Sequence, residues 1–190
     1  MEPYPAMSVK ILLAMGAAEK GICSHWSQVH APCNPGNTDG IMQVTDSTGR
    51  KYDSGYAYND TYGGYEGNVN DAIAYLNDVS GYAMQGIEET YTPMDGGKSI
   101  RLLLYYNAGS NPRGTYLEGL QKGYKPGDPE WIWGNPQYLH DVAEQLRDSP
   151  FGPNYNDPIL AAELEQAQDN LNLWLNDQMI KSGHPEGYHP

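Results

Sequence analysis

The chain has 190 residues, enough for one domain with an appendage, and 39% of them are hydrophobic, enough for a real core. Its formal net charge of −13 excludes the basic surface that nucleic-acid or anionic-membrane binding requires. No run of about 20 apolar residues exists, so no membrane-spanning helix and no membrane insertion are expected.

Residues 1–7 read as a lead-in with two prolines, without the basic and apolar regions of a signal peptide. Ser8 is a candidate N-cap, and Ile11, Met15, Ala18 and Ile22 recur at helical spacing, so a first helix is expected to run from Val9 to Glu19, with Gly21 as its stop. Cys23 and Cys33 then enclose a loop that also holds His25 and His30. Three readings stand for this Cys-x-His-x4-His-x2-Cys pattern: a Cys23–Cys33 disulfide, which comes first and favours an extracytoplasmic setting, a zinc site of unusual spacing, and two reduced thiols. No metal is included in the expected site.

Gly40 to Val44 is a short apolar segment in polar surroundings. Residues 45–67 are rich in Asp, Gly, Ser and Tyr and read as a loop with little strand, one side of a cleft. A helix follows from Asn68 or Asn70, with Val69, Ala72, Ile73, Leu76 and Val79 inside. Residues 82–97 read as a short helical turn and a break. Ser99 to Ala108 is apolar nearly all round, the mark of a buried helix, and ends at Asn107-Ala108-Gly109. Residues 110–134 are punctuated by Gly and Pro, with Tyr116, Leu117 and Leu120 in a short helix, then Trp131 and Trp133. Pro136 opens a helix with Tyr138, Leu139, Val142, Ala143 and Leu146 on one face. Residues 150–158 read as a linker. Residues 159–181 form an amphipathic helix (Ile159, Leu160, Leu164, Ala167, Leu171, Trp174, Leu175, Met179) expected to pack on the domain, and residues 182–190 read as a disordered tail. The class is therefore mainly α, with long loops and little strand: a domain at 1–149, a linker and a C-terminal helix.

One Phe stands against 16 Tyr and 4 Trp. Rings with a polar tip suit half-buried walls that stack on sugar faces and bond sugar hydroxyls. A carboxyl group at the end of an apolar helix, Glu19, suits the proton donation that glycosidic cleavage needs, because an apolar setting raises its pKa.

Four segments stand in order: Ala17-Ala18-Glu19, Gly40-Ile41-Met42-Gln43-Val44, Asn68 to Leu76, and Leu104-Tyr105-Tyr106-Asn107-Ala108-Gly109, with Tyr138-Leu139 opening the next helix. Over about residues 8–147 the chain resembles the lysozyme-like superfamily of soluble lytic transglycosylases and goose-type lysozymes. It departs where Lys20 follows Glu19 in place of the Ser of many lytic transglycosylases. The resemblance implies a lysozyme-like helical domain in which Glu19 is the catalytic acid/base. Gln43 and the backbone near Met42 would bind an N-acetyl group, Asn107 would hold a hydroxyl or acetamido group, and Tyr138 would orient Glu19. Tyr106, Trp131 and Trp133 are stacking candidates. The implied substrate is peptidoglycan, with chitin as runner-up, cleaved outside the cell, in the cell wall or in the periplasm, by a bacterial, phage or eukaryotic enzyme. It would act as a monomer and without a cofactor. A lytic transglycosylase needs Glu19 alone. An inverting hydrolase needs a second carboxylate, for which Asp39 and Asp46, on either side of the Gly40 segment, are the candidates. A glycan-binding module that does not catalyse is the reading from another class.

Overall fold

A computed structural model of the chain describes residues 9–20, 38–39, 44–45, 76, 98–109 and 111–190, which are mainly helical. Helix α1 spans Val9–Lys20. Strands β1 (Thr38–Asp39) and β2 (Val44–Thr45) pair antiparallel, Thr38 opposite Thr45 and Asp39 opposite Val44, and so flank residues 40–43. Helices α2 (Lys98–Ala108), α3 (Pro112–Gln121), α4 (Tyr138–Arg147) and α5 (Pro158–Lys181) follow. Among the described residues no helix is long and apolar enough to cross a membrane.

Helix α4 is the hub. It packs against α1, α2 and α5. Its face of Tyr138, Leu139, Val142, Ala143 and Leu146 is buried as its spacing predicts. Helix α1 contributes Ile11, Ala14, Met15 and Ala17, and Ala18 packs half-buried beside them. Helix α2 contributes Ile100, Leu102, Leu103, Leu104 and Tyr105, which fits its apolar sequence. Leu76 is helical and buried in the same core, while the rest of the helix expected around it lies outside the described residues.

Helix α5 runs antiparallel to α4: Arg147 and His140 meet Glu165, and Gln137 meets Asn172. Leu164, Ala167, Leu171, Leu175 and Met179 form its buried stripe. Ile159, expected in that stripe, is 75% exposed, because it lies on the opposite face of the helix from Ala161 and Leu164, which are buried. Asp157 caps the helix, its carboxylate accepting from the Leu160 N–H at 3.1 Å.

Two segments differ from expectation. Residues 150–158 form an ordered reversal with a 3-10 turn at Pro153–Tyr155. It is tied to α4 by Asp157 N–H donating to the Leu146 carbonyl (2.8 Å) and to α1 by Lys10 donating to the Asn156 carbonyl (2.8 Å). Residues 182–190, expected disordered, return along α5. The Tyr188 N–H donates to Asn176 (3.0 Å), and its hydroxyl accepts from Gln137 (2.7 Å). Specific side-chain partners on α5 and before α4 hold this tail, and a local reading of its Gly and Pro content contains no trace of them.

Candidate active site

Helix α1 delivers Glu19 at its C-terminal end, where the helix dipole disfavours negative charge. Helix α2 delivers Asn107 in its last turn, and α4 delivers Tyr138 in its first. These three side chains, far apart in sequence, line one cavity of about 340 Å³ together with Ala18, Asn135, Asp141, Glu144 and Gln145. The grouping expected of Glu19, Asn107 and Tyr138 is thus present in space.

Burial pushes the Glu19 carboxyl up to about 7, and the nearby Asp141 carboxyl adds to the rise, against the pull of the Tyr138 hydroxyl. A carboxyl in that range holds a proton near neutral pH and can release it, as a general acid must. Tyr138 is 3% exposed, and burial raises its phenol well above the ordinary value, so it stays protonated. Its hydroxyl lies close enough to Glu19 for each to influence the other's proton. Among the described residues, however, no atom meets it with both the distance and the angle of a formed hydrogen bond. Catalytic contacts commonly stand slightly open until substrate closes them.

The floor of the cavity is a reciprocal amide lock. Asn107 Nδ2 donates to the Asn135 carbonyl (2.8 Å) and to the Tyr116 hydroxyl (3.0 Å), while Asn107 Oδ1 accepts from the Asn135 N–H (2.8 Å). The Asn135 backbone thereby fixes which end of the amide is oxygen. Gly134, at φ +84°, brings the loop this close: a Cβ there would stand 3.0 Å from both the Asn107 carbonyl oxygen and the Ala108 Cβ. Asn135 Nδ2 donates in turn to Asp141 Oδ2 at 2.6 Å. Burial raises the Asp141 carboxyl above its ordinary value, and the Asn135 bond opposes that.

Asn135, Asp141 and Glu144 were not singled out in the sequence. A signal for Asp141 was present: it stands one turn after Tyr138 on α4, so any cavity that Tyr138 reaches is also within reach of Asp141. Nothing local marks Asn135, which depends on the fold of the loop before α4.

Trp131 and Trp133 do not line this cavity among the described residues. Trp133, 8% exposed, stacks on Tyr124 (centroids 5.3 Å apart) and meets Trp131 edge-on (5.5 Å), and Trp131 stacks on Tyr116 (6.4 Å). Trp131 Nε1 donates to the Gly134 carbonyl at 2.7 Å. A Cβ at Gly119 would stand 2.6 Å from the Trp131 ring, so α3 needs glycine there for the rings to close over it. These rings back the loop that carries Asn135. Tyr106 is half-buried against the core beside Tyr138. Cys23, Cys33, Met42, Gln43, Asp46 and the side chain of Asp39 lie outside the described residues. Among the described residues no group of three or more His, Cys, Asp or Glu side chains is arranged to hold a metal ion.

Comparison of the chain with protein-family models, with curated proteins and with solved structures finds no match in any of the three.

Proposed function

We propose that this chain cleaves β-1,4 bonds of peptidoglycan in the manner of the lysozyme-like lytic transglycosylases. The observation that carries the reading is the convergence of Glu19, Asn107 and Tyr138 on one cavity, with Glu19 pushed up to about 7 by burial. Glu19 gives its proton to the glycosidic oxygen as the C1–O bond breaks. The same carboxylate then takes the proton of the sugar's C6 hydroxyl as that oxygen closes on C1, with the N-acetyl group assisting. The product is a 1,6-anhydro ring, no water is consumed, and Glu19 ends protonated as it began.

A second reading, hydrolysis, is favoured by a specific observation: Asp141 and Glu144 bring two further carboxyl groups to the cavity. An inverting hydrolase needs one such group to activate water. Asp39, next to the Gly40 segment on β1, remains a candidate for that part as well.

Mass spectrometry of the products from purified peptidoglycan and from chitin oligomers, with Glu19→Gln as the blank, tests both. Anhydro products, one water lighter than reducing ends, are expected. Reducing ends would establish hydrolysis, and cleavage of chitin alone would change the substrate. No cleavage of either would leave a glycan-binding module.

A further inference from the structure

We propose that Asp141 is a side chain by which this cavity holds a β-1,4-linked N-acetylhexosamine, accepting a hydrogen bond from a sugar hydroxyl or acetamido N–H, while Asn107 has no donor left to offer. The inference rests on the glycan-cleaving reading above and names the contact that the reading leaves open.

It follows from counting donors and acceptors. An Asn side chain has two amide hydrogens and one carbonyl oxygen. Both hydrogens of Asn107 are spent, on Tyr116 and on the Asn135 carbonyl, and its oxygen already takes the Asn135 N–H. The lock that shapes the floor therefore leaves Asn107 no donor for a substrate carbonyl or hydroxyl. Asn135 is partly spent too: its oxygen accepts from the Gln137 N–H (2.9 Å) and its amide donates to Asp141.

Asp141 differs. A carboxylate offers about four acceptor sites. Among the described residues Asp141 accepts one hydrogen bond, at Oδ2 from Asn135, so Oδ1 is free. That one bond restrains its rotamer, which lowers the ordering cost at binding. A second observation points to a ligand in the same space. Tyr138, 3% exposed, lines the cavity with a buried hydroxyl that among the described residues meets no partner of hydrogen-bonding geometry. A buried phenol that stands near Glu19 with no formed hydrogen bond among the described residues, one turn from a carboxylate with spare acceptors, is complementary to a molecule carrying hydroxyl and N–H groups at close spacing, as an N-acetylated sugar does.

The test titrates chitin hexamer into the wild type, Asp141→Asn and Asp141→Ser, and measures kcat, KM and Tm on peptidoglycan and on the hexamer, with Glu19→Gln as the blank. Both variants keep an oxygen that can accept from Asn135, so Tm is expected within a few degrees of the wild type. A bond to a charged acceptor is worth enough that Kd and KM should rise about 10- to 100-fold. A kcat loss above about 100-fold with Kd unchanged would instead make Asp141 the water-activating base of the hydrolytic reading and overturn the inference. A wild type that cleaves while Asp141→Asn and Asp141→Ser leave Kd and KM unchanged overturns the inference and leaves the enzymatic reading standing. A wild type that binds the hexamer without cleaving, and loses that binding in both variants, overturns the enzymatic reading and upholds Asp141. A wild type that neither binds nor cleaves overturns both.

Discussion

Two polar clusters flank helix α4, and they are built on opposite terms. On the α5 side the amides and charged groups answer one another. Gln168, 2% exposed, donates to the Pro136 carbonyl and to Asn172 (2.8 Å each) and accepts from the His140 N–H (3.3 Å). Gln137 donates to Asn172 and Tyr188, and Glu165 takes both His140 and Arg147. On the cavity side, among the described residues, Tyr138 has no formed bond, Asp141 has acceptors to spare, and Glu19 is buried enough to hold its proton. Buried polar groups that satisfy one another specify a fold, whereas those left open are costly and persist where a substrate completes them. The same helix serves both purposes, with its apolar face between them.

The sharpest way to break this contrast is Glu19→Gln. Loss of the acid is expected to lower cleavage of peptidoglycan by about 10²- to 10⁴-fold. The same variant tests the cost of the open cluster. The folded state holds the Glu19 proton up to about 7 and the unfolded chain only to 4.5. Folding stability should therefore fall as pH rises through that window, where the folded form binds more protons, and level off above it, with a total of about 3 kcal/mol. Denaturant unfolding of the wild type from pH 4 to 8 should show the fall, and Glu19→Gln should be flatter. Parallel curves would mean that Glu19 is solvated and the cavity is not a working site.

Gln168→Ala probes the satisfied cluster. It strips the Pro136 carbonyl and Asn172 of a buried donor, which should cost about 1–3 kcal/mol of stability while the chemical step in the folded fraction keeps its rate. A loss of kcat without a loss of Tm would show that the two clusters are one. The smallest effect belongs to Glu165→Gln. The hydrogen bond to Glu165 raises His140, so this pair contributes stability below the ordinary His value and loses it as pH climbs through the raised one. Both side chains are partly exposed, and the change should stay under about 1 kcal/mol, read as a drop in Tm that is larger at pH 5.5 than at pH 8.5, where only the loss of the Arg147 pair remains.

Periodicity made most of the described helices legible. The five apolar positions of α4 repeat at helical spacing, and α2 could only be buried. Glu19 and Tyr138 stood out because each sits at a helix end within an ordered series of segments. Asp141 did not, because a carboxylate on the polar side of an amphipathic helix looks the same in sequence whether it faces water or a cavity. Ile159 misled in the opposite sense: it is apolar, but at about 100° per residue it falls on the face of α5 away from Ala161, Leu164 and Leu175.

The amino-acid order alone determined the helical class, the apolar faces and the residue types able to move a proton, because backbone periodicity and side-chain chemistry are local properties. Tertiary structure decided which polar groups spend their hydrogen bonds on each other and which keep them. Asn107 became part of the floor once Gly134 let the loop approach, Trp131 and Trp133 closed over Gly119, and Asp141 was left with a free oxygen beside Glu19. Hydrogen-bond capacity is settled by distance and angle between segments far apart in the chain, and no local pattern encodes those.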